Sequence, residues 1–195
     1  MLIVFVLTAL VSATLLFLVQ PMFARMVLPM LGGSPAVWNT AMVFYQVTLL
    51  AGYAYAHVVT TRLTPRRQAI VHLVLVVGAL ASLPIAVPQG WVPPTDRNPV
   101  PWMLALLAVG IGLPFFVVST TGPLVQKWFA GTGHRSASDP YFLYAASNAG
   151  SMAGLLGYPL WLEPRLRLAD QSLLWTVGYG VLTLLIPIEP TGSTG

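Results

Sequence analysis

Polar positions along the chain gather into short clusters rich in Pro, Gly and Arg, and between them run six long apolar stretches, at about residues 2–24, 36–59, 68–87, 101–127, 140–161 and 172–188. Each stretch is long enough to cross a hydrocarbon core of ~30 Å, which takes ~20 helical residues. The stretches are continuously apolar and show no period-two alternation, which argues against a closed β-barrel and predicts α-helices. The expected fold is therefore an all-α membrane protein, with a six-helix transmembrane domain over residues 1–190 and a short C-terminal tail, 191–195. No Lys or Arg precedes the first stretch and no small-residue cleavage site follows a short apolar core, so it reads as a retained helix, not a signal peptide.

Composition strengthens that reading. Hydrophobic residues make up 56% of the chain and charged residues 7%, and the mean hydropathy is +0.79, outside the range of soluble domains. The net charge of +4 suits contact with anionic lipid head groups; no basic stripe interleaved with aromatics appears, so no nucleic-acid partner is expected. Cysteine is absent, which removes disulfides, thiolate catalysis and cysteine metal sites.

The cations set an orientation. With six helices, Arg62, Arg66, Arg67, Lys127 and Arg135 fall on one side, against Arg25, Arg97, Arg165 and Arg167 on the other, five against four. The compact cluster in "TTRLTPRRQ" predicts that this side, and both termini with it, is cytoplasmic. Arg25, just past the first stretch, is then an outer interface anchor, and Arg62, Arg66, Arg67 and Lys127 are inner ones.

The connection "VPQGWVPPTDRNPVPW" carries five prolines and divides the chain into two halves of three helices. The halves share a faint order of residues. "QPMFARMVLPMLGGSPAVW" and "GPLVQKWFAGTGHRSASDPYF" both run proline, three residues, a basic residue, a glycine cluster and a proline before the next helix. Pro21 and Arg25 answer to Pro123 and Lys127, and Pro35 to Pro140. One copy would run outward and the other inward, a 3+3 inverted repeat of the kind that builds each half of a major facilitator transporter.

Two blocks, "QPMFARMVLPMLGGSPAVWNTAMVFYQVTLLAGYAYAH" (20–57) and "SNAGSMAGLLGYPLWLEP" (147–164), together about 56 residues, resemble the membrane region of bacterial spermidine synthase-like proteins, fusions of a major facilitator-like module with a synthase-like domain. "GYAYAHVVTTRLTPRRQ" is similar to the glycine-to-basic signature between helices two and three of major facilitator proteins, with Ala56 and His57 where its acid would fall. The resemblance implies a half major facilitator-like bundle in a bacterial inner membrane. No βαβ pattern or Gly-rich loop follows the sixth stretch, so spermidine synthase activity, or any enzyme activity, is not expected of these residues.

Candidate functional residues are few. Asp96, Asp139, Glu163, Asp170 and Glu189 all fall in connections or at helix ends, whereas a carrier of polyamines or protons would want a buried carboxylate. Gln20, Asn39, Gln46, Tyr53 and Asn148 could line a cavity or form interhelical hydrogen bonds; Asn39, Gln46 and Tyr53 are spaced by sevens and fall near one helix face. Ala146, Gly150 and Gly154, at four-residue spacing, form a smooth strip for close helix packing, within the bundle or against another subunit. Ser119, Thr120 and Thr121, beside Pro123, would coordinate an ion or bond to their own helix backbone. His57 and His72 are weak candidates for a metal or a pigment, having no carboxylate or cysteine beside them. No cofactor is expected beyond bound lipid. The partners expected are membrane lipids and other integral membrane proteins or a second copy. Two functions follow: an accessory or structural subunit of a larger membrane complex, or a transporter-like module for a polyamine or other small solute, working as a dimer or with a second half.

Overall fold

The computed structural model describes residues 1–96 and 98–187. Serine, asparagine and proline start the helices. Ser34 accepts from the Val37 N–H ahead of Pro35, Asn98 from the Val100 N–H ahead of Pro99, and Thr64 stands ahead of Pro65; proline at a first helical position loses only an N–H that has no partner there. Six helical rods result: α1 (Leu2–Leu31), α2 (Pro35–Arg62), α3 (Pro65–Leu80), α4 (Pro99–Ala130), α5 (141–165) and α6 (Leu168–Leu185). The described residues contain no strand. The rods α1, α2 and α4 are long and apolar enough to cross a membrane. Arg97, the last residue of the sixth apolar stretch, Glu189 and the tail 191–195 lie outside the described residues.

Two helix ends differ most from the sequence expectation, by seven residues each. The first helix does not stop near residue 24: it runs through Pro21 and Pro29 to Leu31 and ends at Gly32, whose φ of 73° places it in the left-handed region while its N–H bonds to the Leu28 carbonyl at 2.8 Å. Pro21 removes the donor that the Phe17 carbonyl would meet, and side chains bond to the carbonyls on either side: the Gln20 amide donates to the Leu16 carbonyl at 3.2 Å, and the Tyr45 hydroxyl of α2 donates to the Gln20 carbonyl at 3.2 Å. The third helix, expected to reach residue 87, stops at Leu80, because Pro84 biases Leu83 out of the helical region and Ser82 turns back to the Ala79 carbonyl at 2.7 Å. Within α4 and α5, a wider π turn at Ala108–Gly112 stands just ahead of Pro114 and another at Tyr158–Leu162 contains Pro159; the proline ring disfavours a regular α-helical turn.

Packing centres on α1, which lies along α5, α4 and α6, while α2 and α3 settle on α4. The α1–α5 contact is the tightest. A Cβ added at Gly150 would overlap the Leu10 carbonyl, and one at Gly154 would stand 2.9 Å from the Thr14 carbonyl oxygen. The strip formed by Ala146, Gly150 and Gly154 is thus spent inside the bundle, on α1. On the other side, a Cβ at Gly52 of α2 would overlap the Ser119 side chain of α4. Side-chain donors tie the rods across the core: Trp175 Nε1 to the Leu15 carbonyl (2.9 Å), the Tyr179 hydroxyl to the Val76 carbonyl (3.1 Å) and Trp128 Nε1 to Gln68 Oε1 (2.9 Å).

Gly150→Ala should therefore lower the stability of the detergent-solubilised chain by about 1–3 kcal/mol. Gly157→Ala, where a Cβ meets nothing within 4 Å, should be neutral or slightly stabilising. Thermal unfolding of the two variants side by side measures the difference.

Candidate functional site

A groove of about 410 Å³ opens between α2 and α5, floored by α1 and α4. This volume lies toward the lower end of the ~300–1,000 Å³ typical of small-molecule sites. Its polar character comes from helix spacing. Ser119, Gly122, Pro123 and Gln126 of α4 fall at i, i+3, i+4 and i+7, and Tyr144, Ser147, Asn148 and Ser151 of α5 repeat those intervals, so each set shares one helix face. Ser12 of α1 and Tyr53 of α2 complete the polar lining. None of the lining side chains carries a charge.

The hydrogen bonding of these groups divides in two. The hydroxyls of Ser12, Ser119 and Ser151 donate to carbonyls of their own helices, Ala9 at 3.1 Å, Phe116 at 2.6 Å and Ser147 at 2.9 Å, which leaves their oxygens able to accept. The side chains of Tyr53, Gln126, Tyr144, Ser147 and Asn148 bond to no other group among the described residues. Those five are free to meet an occupant of the groove.

Beyond it, toward the end of α1, a second crevice of about 460 Å³ is lined by Gln20, Pro21, Arg25, Trp38, Tyr158 and Glu163, among others. Arg25 and Glu163 pair across it at 3.2 Å, each side chain 41% exposed, and Arg25 also donates to the Glu163 backbone carbonyl at 3.3 Å. The sequence places Arg25 just past a helix end as an outer anchor; the structure instead puts it well inside α1, because the helix continues to Leu31, and holds it on α5.

The expected residues are thus dispersed. Tyr53 and Asn148 meet in the groove and Gln20 lines the adjoining crevice. Asn39 and Gln46 are exposed and line neither. The three share a side of α2, but at ~1.5 Å rise per residue Gln46 and Asn39 stand about 10 and 21 Å along the axis from Tyr53, beyond the reach of the groove. Interhelical bonding, the other role considered for these polar residues, is carried mainly by other side chains, Tyr45, Trp128, Trp175, Tyr179, Thr8 and Thr121. Ser119, Thr120 and Thr121 all donate to carbonyls of α4 itself. His72 is fully buried with Nε2 3.3 Å from the Thr121 hydroxyl, while His57 is exposed. Among the described residues no three His, Asp or Glu side chains converge. Arg62, Arg66, Arg67 and Lys127 are all exposed.

Ser12, Gln126 and Ser151 escaped the sequence reading. The i, i+3, i+4, i+7 patterns on α4 and α5 were the available signal; which faces meet depends on how the rods pack.

A polar groove should hold water, and thiols react as thiolates, which need it. In this cysteine-free chain, Ser147→Cys should react with a small hydrophilic maleimide about tenfold faster than Val47→Cys on the exposed apolar face of α2; labelling rates followed by mass spectrometry decide this. Compared with protein-family models, curated proteins and solved structures, the chain matches none.

Proposed function

We propose that the chain is an integral membrane module that packs against another membrane protein across the mouth of the α2–α5 groove, as an accessory or structural subunit of a larger complex. The groove itself carries this reading. Apolar residues exposed on helices are at home in lipid, but hydroxyls and amides facing hydrocarbon lack partners, and unsatisfied polar groups there are costly. A second protein laid across the α2 and α5 walls encloses them. Lipid fills the remaining surface.

In this reading all six rods cross a bacterial inner membrane with both termini cytoplasmic, and the bundle is a half major facilitator-like unit like the membrane region of spermidine synthase-like proteins, without a catalytic role. The packing supports the inverted repeat. Exchanging α1 with α4, α2 with α5 and α3 with α6 turns the packing of α2 on α4 into that of α5 on α1, and the packing of α3 on α4 into that of α6 on α1. Pro21 and Pro123 each lie inside a long rod, α1 or α4.

The second reading is a transporter-like module, a dimer or one half of a carrier, favoured by one observation: the side chains of Tyr53, Gln126, Tyr144 and Asn148 line a common groove with no partner among the described residues. Purification from native membranes in mild detergent separates the two. A heteromeric complex supports the accessory role, and a homodimer enclosing the groove supports the transporter. For the topology, a lone cysteine introduced by Arg25→Cys should react with an impermeant reagent added outside, and one introduced by Lys127→Cys should not; labelling of both from one side would end the six-span, inverted-repeat arrangement.

A further inference from the structure

We propose that the α2–α5 groove binds an uncharged, polyhydroxylated solute of sugar-like size, and not a polyamine. The proposal rests on the solute-binding reading of the groove and names its substrate class.

Charge gives the first constraint. No lining side chain is ionised. Glu163, the acid of the neighbouring crevice, is already paired with Arg25. A cationic amine in the groove would find no carboxylate, and an anion would find no free cation; either would leave water without compensation. An apolar ligand fails for the opposite reason, because it would cover amides and hydroxyls and leave them unbonded.

The hydrogen-bonding stock gives the second. Asn148 and Gln126 each bring an acceptor oxygen and two donor N–H groups, the hydroxyls of Tyr53 and Tyr144 can donate or accept, and the oxygens of Ser12, Ser119 and Ser151 accept. This mixed set suits a ligand whose every polar group both donates and accepts, and a hydroxyl does so. Tyr53 and Tyr144 add a third constraint. They line the groove from opposite walls, are 51% and 50% exposed, and bring aromatic surface to it that can pack on the C–H groups of a ring or extended polyol, the mixture of aromatic surface and placed polar groups that fixes small ligands. Gly122, where a Cβ would meet nothing within 4 Å, keeps the floor open.

The test uses the whole chain in lipid nanodiscs carrying Ser147→Cys, with the alkylation rate by N-ethylmaleimide as the readout and sorbitol, sucrose, spermidine and glutamate as probes at matched osmolality. Sorbitol or sucrose should slow alkylation about threefold or more, with a saturable dependence that a single site requires. Spermidine and glutamate should leave the rate unchanged. Adding Asn148→Leu, or Tyr53→Leu on the opposite wall, should abolish the protection; both positions are exposed, so either variant keeps the fold. Gly133→Cys in an exposed loop should be indifferent to every probe. Protection by spermidine or glutamate but by neither polyol would overturn the uncharged class and leave the solute-binding reading standing. A rapidly reacting Ser147→Cys protected by no probe would overturn both, and equal slowing of Gly133→Cys would reduce the effect to osmolality and overturn the proposal.

Discussion

The backbone contact between α1 and α5 is the constraint on which the rest of the bundle depends. At Gly150 and Gly154 the two helices approach closely enough that a methyl group would collide with a carbonyl of α1. Lipid tails are as apolar as leucine, so burial of apolar surface does little to hold two helices together in a membrane, and close van der Waals approach takes over that role. With α5 drawn onto α1 and α2 drawn onto α4 at Gly52, the two outer rods stand on opposite sides of a shared floor, and the groove is the space between them.

Polar chemistry in the bundle follows the same economy. Most hydroxyls bond to a carbonyl one turn back on their own helix, as Thr14, Thr40, Thr48, Thr120 and Thr121 do. Such groups need no partner and say little about function. Many of the bonds that join rods come from larger side chains with reach, Tyr45, Trp128, Trp175 and Tyr179, whose rings fill the core while one polar atom finds a carbonyl or amide; Thr8, bonded to the Leu185 carbonyl, and Thr121, beside His72, add to them. Of the polar groups outside both classes, Asn39, Gln46 and His57 are scattered over the exposed surface, while Tyr53, Gln126, Tyr144, Ser147 and Asn148 share the groove. Their concentration there, more than any single residue, sets it apart from the ordinary surface of the bundle.

Hydrophobic runs made the number and order of the helical rods legible, because ~20 apolar residues between polar clusters leave little choice of structure in lipid. Their ends were less so. "QPMFAR" reads as a terminus because it combines a proline with a charge, yet Gln20 and Tyr45 supply bonds around the proline and Glu163 neutralises the arginine, all but the first from other helices. The site was partly legible for the same reason. Asn148 and Tyr53 stand out as polar residues on apolar rods, but only the packing distinguishes Tyr53, in the groove, from Gln46, one heptad away and outside it. The small strip on α5 was visible in its spacing, and its partner α1 was not, since both sides of a close contact need not carry small residues.

The symmetric exchange of packing partners has a consequence for how the chain assembles. Nearly all the extensive contacts, α1 with α5, α4 and α6, and α2 and α3 with α4, run from one half of the sequence to the other, while α1 touches α2, and α2 touches α3, only lightly. The first three helices have little contact with one another, and their main packing partners lie in α4, α5 and α6. The halves are interleaved like the fingers of two hands, so a cut at the proline-rich midpoint would part most helices from their main packing partners, and the native packing needs both halves at once.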